Sequence, residues 1–302
     1  MSFEETSFQH VSVLLDEAID AIDPRAGGVY ADATLGGGGH AEAILERSAP
    51  DGRLVGLDRD PRALTAARAR LARFGDRATC VHAEFAELSE VLAELEIELV
   101  DGLIADVGVS SPQLDDPQRG FSFREAGPLD MRMDPTRGET AKQLIARLEA
   151  DELADVIYEY GEERRSRQIA RSIKNAEEQG ELETTEDLRR AVHRVMRGRS
   201  RIDHATRTFQ ALRIAVNREL DQLDALTKQI PDVLRDGGVA CVISFHSLED
   251  RIVKRAFRND ARMKPLTKKP QTASEDEARR NPRSRPAKLR AARRVAREEG
   301  ER

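Results

Sequence analysis

A glycine-rich loop between a predicted strand and a predicted helix is the feature that most constrains the fold of this chain. The apolar run from Val29 to Ala33, broken only by Asp32, is typical of a buried parallel strand. The glycines from Gly36 to Gly39 allow a tight turn and a close approach of the backbone to a ligand. The segment from Ala41 to Glu46 has helical character. This order predicts an α/β fold with a nucleotide-like cofactor at the helix N-terminus.

A second predicted strand, from Arg53 to Asp58, ends in an acid about twenty residues beyond the loop. Asp60 and Pro61 open the following helix, with Asp60 as its N-cap and Pro61 at its first position. Because Asp60 is the better cap, Asp58 remains available for a ligand. An acid at this place commonly accepts hydrogen bonds from the ribose hydroxyls of an adenosine, and we predict that role for Asp58.

Two further predicted strands bring side chains to the same edge of the sheet. The third strand leads to Phe85, which either stacks on an adenine or packs in the core. The fourth strand runs from Leu99 to Val109 and places Asp106, Ser111 and Gln113 near its carboxyl end. Ligands of open α/β sheets bind at that edge. The three polar side chains are therefore candidates for a binding or catalytic site.

A long insertion separates the fourth strand from the fifth, which runs from Gly238 to Phe245 and is followed by His246. Roughly 130 residues lie between them, far more than a crossover needs. Helical apolar stripes fill this stretch, and the last predicted helix runs from Thr206 to Ile230 until Pro231 stops it. We therefore predict a core in two parts, residues 1–114 and 216–302, with an inserted all-helical domain at residues 115–215.

The insertion begins with two aromatic residues beside arginines. Phe121 and Phe123 lie close to Arg119 and Arg124 in the sequence. Such a pattern is typical of nucleobase stacking next to phosphate contacts. Packing at a domain interface explains the two rings equally well, so both interpretations stay open.

Charge is distributed unevenly along the chain. The formal net charge is −6, yet the segment from Arg279 to Arg297 contains nine basic residues and no acidic one. A basic C-terminal tail on an acidic body is typical of an arm that binds phosphates. The alternative is a solvated, partly disordered tail.

The remaining composition indicates a cytoplasmic protein. No apolar run has the length of a membrane span, and the N-terminus lacks the layout of a signal peptide. Cys80 and Cys241 both fall in predicted strands, so we interpret them as small core residues. No Cys/His cluster has the spacing of zinc ligands, and we predict no metal site.

The spacing of the glycines favours one adenosine cofactor over another. A dinucleotide dehydrogenase requires Gly-x-Gly-x-x-Gly, whereas here the glycines are contiguous and Ala41 stands three residues beyond Gly38. S-adenosylmethionine has no pyrophosphate to hold. Its binding requires a close backbone approach and an acid just before the loop, a position that Asp32 occupies. The sequence therefore predicts S-adenosylmethionine as the cofactor.

At this point six sequence blocks resemble a single family, the bacterial 16S ribosomal RNA cytosine-N4 methyltransferases. The resemblance extends from His10 to about residue 290. The blocks are Thr34-Leu-Gly-Gly-Gly-Gly-His40, Asp106-Val-Gly-Val-Ser-Ser-Pro-Gln-Leu-Asp115, Arg119-Gly-Phe-Ser-Phe123, Leu129-Asp-Met-Arg-Met-Asp134, Thr206-Arg-Thr-Phe-Gln-Ala-Leu-Arg-Ile-Ala-Val-Asn-Arg-Glu-Leu220 and Ile243-Ser-Phe-His-Ser-Leu-Glu-Asp-Arg251.

The resemblance implies a fold, a substrate and a set of cofactor contacts. The fold is a Rossmann-like class I S-adenosylmethionine-dependent methyltransferase core with an inserted helical domain. The substrate is a cytidine near the decoding centre in 16S rRNA, presented by the small (30S) ribosomal subunit, and a homodimer is left open. Implied cofactor contacts are Gly38, Gly39 and His40 at the methionine end, Asp58 at the ribose, Phe85 at the adenine, and Asp106 and Gln113.

The chemistry of cytosine methylation suggests the catalytic candidates. The N4 lone pair is delocalised into the ring, so a catalyst must align N4 with the methyl group and offer acceptors to the amine hydrogens. Asp106 and Ser111 occupy the place of the partial Asp/Asn/Ser-Pro-Pro-aromatic motif of amine methyltransferases. His246 either holds the base or its phosphate, or makes a hydrogen bond at the strand end. The alternatives to this function are a DNA cytosine or protein methyltransferase and an RNA-binding ribosome-assembly factor.

Overall fold

The computed structural model describes residues 12–196, 198 and 202–296. Its strands are β1 (Val29–Asp32), β2 (Arg53–Asp58), β3 (Ala78–His82), β4 (Val100–Asp106), β5 (Leu234–Ser244), β6 (Met263–Pro265) and β7 (Lys288–Arg294). Its α-helices are α1 (Leu15–Ile22), α2 (Gly39–Arg47), α3 (Pro61–Leu71), α4 (Leu88–Glu94), α5 (Ser111–Asp115), α6 (Ala141–Arg147), α7 (Ala150–Gly161), α8 (Ser166–Glu178), α9 (Thr185–Val195), α10 (Thr206–Asn217), α11 (Glu219–Val233), α12 (Ser247–Asn259) and α13 (Glu275–Arg280).

The strands form a single twisted sheet in the order β3-β2-β1-β4-β5-β7-β6. Strands β1 to β5 are parallel, whereas β7 runs antiparallel to both β5 and β6. The strand order reverses between β1 and β4, which is where ligands bind in doubly wound sheets. The fold is therefore Rossmann-like, as the sequence predicts.

Apolar side chains cover both faces of the sheet. Along β4, Leu103 and Ala105 belong to one buried cluster and Ile104 to the other. This alternation follows from the two-residue period of a strand. Helices α4, α11 and α12 cover the first face, and α1, α2 and α3 cover the second. Burial on both faces explains why the central strands are almost continuously apolar in sequence.

The chain divides into two compact units. The sheet unit comprises residues 1–108 and 220–302, and the helical unit comprises Val109–Glu219. The helical unit has its own core, with Leu153, Ile157, Ile169 and Leu188 among its fully buried side chains.

One predicted helix is in fact two. The prediction of a continuous helix from Thr206 to Ile230 was wrong, because α10 ends at Asn217 and Arg218 adopts a left-handed conformation with φ +51°. Helix α11 then continues to Val233, so Pro231 lies inside it rather than beyond its end. The periodicity of apolar residues persists across the break, which is why the sequence pattern does not reveal it.

The basic C-terminal segment is not a free tail over residues 288–294. It forms strand β7, paired with β5 from Val239 to Ser244, and Leu289 and Ala292 are fully buried. The Arg290 Nε atom lies 2.6 Å from Asp250 Oδ1. The tail interpretation was therefore wrong for this stretch, whereas Arg297 falls outside the described residues.

The cysteines occupy strands as predicted. Cys80 lies half-buried in β3, and Cys241 lies fully buried in β5. Burial raises the pKa of the Cys241 thiol to about 12, which favours the neutral, unreactive form. None of the helices in the described ranges is long and apolar enough to cross a bilayer.

Candidate active site

The glycine loop connects β1 to α2 in a conformation that requires glycine at two positions. Gly36 and Gly38 have φ values of +50° and +79°, in the left-handed region that other residues rarely adopt. Helix α2 begins at Gly39, two residues earlier than the sequence indicates, with Gly38 as its N-cap. A Cβ atom on Gly39 would lie 2.1 Å from the Ser12 Oγ atom. The loop is thus bare backbone at the N-terminus of a helix, as an anionic or zwitterionic ligand requires.

The Asp58 carboxylate anchors this loop from the end of β2. Its Oδ2 atom accepts a 2.7 Å hydrogen bond from the Gly36 N–H, and its Oδ1 atom accepts one of 2.7 Å from the Asp60 N–H. Burial raises the pKa of the Asp58 carboxyl to about 6, although both backbone bonds act in the opposite direction. Each oxygen retains a lone pair, so Asp58 can hold the loop and still accept from a ligand hydroxyl. The predicted N-cap is confirmed, since Asp60 accepts from Arg62 N–H.

Two further aspartates, at the ends of β1 and β4, each have a buried carboxylate oxygen. Asp32 is 1% exposed, and its Oδ2 atom has no hydrogen-bond partner in the described part of the chain. The Asp106 Oδ1 atom likewise has no hydrogen-bond partner among the described residues. Burial raises the pKa of Asp32 to about 7, with a smaller contribution from the charge of Asp58. Burial, then the charges of Asp32 and Glu249, raise the pKa of Asp106 well above its usual range.

Thr34 joins these two strands, a role that the sequence reasoning missed. Its backbone N–H donates to Asp32 Oδ1 at 3.0 Å, and its Oγ1 accepts from the Asp106 N–H at 2.6 Å. The threonine therefore fixes the ends of β1 and β4 relative to each other at the point where the sheet order reverses. A hydroxyl directly after a strand-end acid is a signal that could have identified it.

His246 lies at the start of α12, where it forms a capping pair with Glu249. His246 Nδ1 accepts from the Glu249 N–H at 3.4 Å, and Glu249 Oε2 accepts from the Phe245 and His246 N–H groups at 2.8 and 3.1 Å. The structure thus shows the strand-end hydrogen bonding that was one of the two alternatives for this histidine. The imidazole Nε2 and Glu249 Oε1 are 3.0 Å apart, and both are buried.

Glu249 is a second residue that the sequence reasoning missed. It is 1% exposed, and its charge contributes to the raised pKa of Asp106. Its spacing of three residues from His246 is that of a capping box, and this signal could have identified it. A buried glutamate therefore extends the carboxylate cluster from β1 and β4 to the start of α12.

His40 and Phe85 lie in the same unit as these carboxylates. The His40 ring is 6% exposed, with Nε2 at 3.1 Å from the Val13 carbonyl oxygen. Phe85 is half-buried against the core, and the Arg59 guanidinium lies 5.9 Å from the centre of its ring. Both interpretations of Phe85, packing and stacking, therefore have a structural basis.

Ser111 and Gln113 belong to the helical unit, in helix α5. Gln113 is 6% exposed, and its Oε1 atom accepts from the Ser110 N–H at 2.9 Å in a capping box. Phe121 is buried in the core of that unit, and Phe123 packs edge-on against Phe209, with 4.8 Å between ring centroids. Packing within the unit thus accounts for both aromatic rings.

In chemical terms, the sheet unit presents a cluster of buried carboxylates beside a bare glycine loop. Besides Glu249 Oε1, which lies 3.0 Å from His246 Nε2, two carboxylate oxygens lack a hydrogen-bond partner among the described residues, Asp32 Oδ2 and Asp106 Oδ1. The charge of Asp58 raises the pKa of Asp32, and the charge of Asp32 raises that of Asp106. A buried anion without a partner is costly, and a cation or an N–H donor in contact with it removes that cost. The site therefore fits a ligand that carries positive charge. No group of three or more His, Cys, Asp or Glu side chains in the described ranges is arranged to hold a metal ion.

Comparisons with known proteins give a consistent result over nearly the whole chain. Residues 7–295 match the model of a family described as the MraW methylase family. A protein named ribosomal RNA small subunit methyltransferase H from Sorangium cellulosum is 64% identical, over 95% of this chain and 91% of its own. Proteins of the same name from Synechococcus and Prochlorococcus marinus are 55% and 54% identical, over 95% and 96% of this chain and 98% and 94% of theirs.

Proposed function

The chain belongs to the MraW methylase family, and from this premise we propose that it methylates ribosomal RNA of the small subunit. Specifically, it transfers the methyl group of S-adenosylmethionine to the exocyclic N4 amine of a cytidine in 16S rRNA, near the decoding centre. The names of relatives that are 54 to 64% identical support the RNA substrate. The resemblance of the six sequence blocks supports the acceptor atom. We further place the reaction in the cytoplasm, on the 30S subunit, and a homodimer remains part of the proposal.

One observation carries this proposal, namely the two buried carboxylate oxygens beside the glycine loop. S-adenosylmethionine when bound supplies a methyl group on a positively charged sulfonium, which already contains the leaving group. Asp32 Oδ2 and Asp106 Oδ1 lack partners among the described residues, and the charge of Asp32 raises the pKa of Asp106. A cationic ligand is the kind that stabilises both in their ionised form. The residues present therefore fit the cofactor.

The roles of the binding residues follow from their positions. Gly38 and Gly39 lie at the N-terminus of α2, a position that suits the methionine end of the cofactor, with His40 beside them. Asp58 retains acceptor capacity at the end of β2 for the ribose hydroxyls. Phe85, with the Arg59 guanidinium 5.9 Å from its ring centre, keeps its predicted role at the adenine as a proposal. Ser111 and Gln113 keep their predicted roles as proposals.

Asp106 is the residue we propose to act on the amine. A carboxylate that accepts a hydrogen bond from N4–H shifts electron density towards nitrogen, and it takes the proton that nitrogen loses as the new N–C bond forms. Burial makes Asp106 a stronger base than an exposed aspartate, because it raises the pKa of its carboxyl. Thr34 holds the Asp106 backbone at this position. His246, fixed by Glu249 at the start of α12, is the proposed contact of the target base or its phosphate.

The test uses small subunits from a strain that lacks this gene. They are incubated with the protein and methyl-labelled S-adenosylmethionine, and the RNA is digested to nucleosides and analysed by mass spectrometry. We expect the label in N4-methylcytidine. In the Asp106→Asn variant, we expect kcat at saturating S-adenosylmethionine to fall by about 10²- to 10⁴-fold. The exposed Asp16→Asn variant in α1 is the matched control. Label in another product would contradict the proposed reaction.

An assembly factor that binds RNA without turnover is the alternative from a different class. An Asp106→Asn protein that fully restores small-subunit maturation in the deletion strain would favour this alternative. Methylation of DNA cytosine is tested in the same assay, with DNA in place of the ribosomal subunit. Transfer to DNA at a rate comparable with that on the small subunit would contradict the RNA assignment.

A further inference from the structure

Besides the segment from Arg279 to Arg297, positive charge is concentrated in a second segment of this acidic chain, far from the glycine loop in sequence. Residues 251–269 contain eight basic residues and one acidic one, although the whole chain has a net charge of −6. The segment covers most of α12, β6 and the turn that follows. Such segregation creates a local positive potential on a protein that otherwise repels polyanions.

A groove of about 400 Å³ lies within this segment, and we call it the basic groove. Its cationic lining residues are Lys254, Arg258, Lys268 and Arg290, and its apolar lining includes Phe257 and Leu266. Phe257 is buried beneath the groove, whereas Leu266 is 39% exposed. The position of Leu266 is fixed by backbone pairing, since its N–H donates to the Ala291 carbonyl oxygen at 2.9 Å. The groove thus combines an ordered apolar wall with a cationic rim.

Three of the four cations have no acidic partner. Within residues 12–196, 198 and 202–296, no carboxylate forms an ion pair with Lys254, Arg258 or Lys268, and all three are exposed. By contrast, Arg290 is held by Asp250, with Nε at 2.6 Å from Oδ1. Arg262, in the same segment, also pairs with an acid, Asp260. The charge of the groove is therefore available to a partner.

The geometry of α12 relates the basic groove to the reaction centre. Lys254 and Arg258 are four residues apart on this helix, so they lie on one face with Cβ atoms about 5 to 6 Å apart. His246 caps the other end of the same helix, at the proposed active site. At 1.5 Å per residue, Arg258 lies about 18 Å along the helix from His246. A ligand in the groove therefore contacts the protein well away from the reacting amine.

We propose that the basic groove binds the sugar–phosphate backbone of the RNA substrate, several nucleotides from the target cytidine. Lys254, Arg258 and Lys268 neutralise phosphates, and Leu266 packs against a ribose or base. Unpaired lysine and arginine side chains are the groups that proteins use for phosphate contacts, and the apolar wall suits the uncharged face of a nucleoside. This inference rests on the proposed function, since it assigns the groove to the same RNA. It predicts a contribution to RNA affinity and none to the methyl-transfer step.

The test compares two charge-matched variants of the full-length protein. The groove variant carries three substitutions: Lys254→Gln, Arg258→Gln and Lys268→Gln. The control variant also loses three exposed cations, none of which lines the basic groove: Arg25→Gln, Arg47→Gln and Arg53→Gln. Binding to unmethylated small subunits and to protein-free 16S rRNA is measured at several salt concentrations. KM, kcat and the affinity for S-adenosylmethionine are measured alongside, together with thermal unfolding.

In the groove variant, the slope of log affinity against log salt should decrease by about two, since three phosphate contacts on a single strand are lost. KM for the subunit should rise roughly tenfold or more at physiological salt, with kcat, cofactor affinity and thermal stability unchanged. The control variant should retain the slope and KM of the wild type.

Equal slopes and KM values for the two variants would overturn the inference and leave the proposed function intact. A loss of binding to subunits but not to protein-free rRNA would also overturn it, because the groove would then contact a ribosomal protein. If the wild type binds RNA through the groove but transfers no methyl group, the groove assignment stands and the proposed function fails.

Discussion

Binding of S-adenosylmethionine should release protons from the buried carboxyl cluster near neutral pH. In the free protein, burial raises the pKa of Asp32 to about 7 and that of Asp58 to about 6. A cationic ligand stabilises the ionised carboxylates and lowers both pKa values. The affinity is therefore highest above pH 8 and is lost as the pH falls through 7 and then 6, because the ligand must displace protons that the free protein holds.

The pKa values of Asp32 and Asp58 set the size of the effect. At pH 6.5, Asp32 is about three-quarters protonated and Asp58 about one-quarter, so binding should release about one proton, or more if Asp106 also ionises. Protonation of Asp32 and Asp58 should weaken the affinity for S-adenosylmethionine about twentyfold as the pH falls from 8 to 6. At pH 8 they are almost fully ionised, and their contribution to proton release falls to about one-tenth of a proton.

Calorimetry measures this release directly. Titrations at pH 6.5 in two buffers of different ionisation enthalpy yield the number of protons exchanged per ligand bound. S-adenosylhomocysteine, which lacks the sulfonium charge, should release fewer protons, and the Asp16→Asn variant should match the wild type. A release below about 0.3 proton with S-adenosylmethionine would refute the reasoning, since the carboxyls would then not sense the charge of the ligand.

Three further predictions concern the stability of the protein without ligand. Asp32→Asn should increase the free energy of unfolding by up to about 4 kcal/mol at pH 8 and by almost nothing at pH 4. The reason is that the raised pKa of Asp32 destabilises the fold only as the pH rises from about 4 through 7. Equal gains in urea denaturation at the two pH values would contradict this. Gly39→Ala should lower Tm and cofactor affinity, because its Cβ would meet Ser12 Oγ at 2.1 Å. Adding Ser12→Ala should recover both. If neither recovers, contact with the Ser12 hydroxyl is not the cause of the loss. The Glu219 carboxylate lies 2.8 Å from Arg213 Nε, and the side chains of Arg213 and Glu219 are 15% and 7% exposed. Glu219→Ala leaves the arginine without this carboxylate and should lower the free energy of unfolding in urea by about 3 to 5 kcal/mol. Glu219→Gln should lower it less.

Much of the sheet unit is predictable from the sequence because its signals are local. The strand before the glycine loop, the loop itself and the N-cap at Asp60 each depend on residues adjacent in the chain, and all three are present in the structure. Because the carboxyl ends of parallel strands lie at the same edge of the sheet, Asp58 and Asp106 could be predicted from the sequence alone to share one site.

Other features depend on contacts that sequence periodicity does not report. Strand β7 is basic at four of its seven positions, which resembles a solvated tail, yet Leu289 and Ala292 pair it to β5 across a long sequence separation. The break at Arg218 interrupts no apolar stripe. The spacing of Glu249 from His246 indicates a helix cap, and only its burial and its effect on the pKa of Asp106 reveal it as part of the carboxylate cluster. Long-range pairing and burial decide these cases.

The interruption of the sheet unit by the helical unit has a consequence for biosynthesis. Strand β4 is made before residues 109–219, and its partner β5 only after them. At 5 to 20 residues per second, a ribosome needs about 5 to 20 seconds to synthesise that interval. During this interval, the apolar strand β4 is paired only with β1, and its other edge is unpaired. Another nascent chain can form backbone hydrogen bonds with that edge. The helical unit, continuous in sequence, can fold in that time, so the sheet unit is the later of the two to be completed.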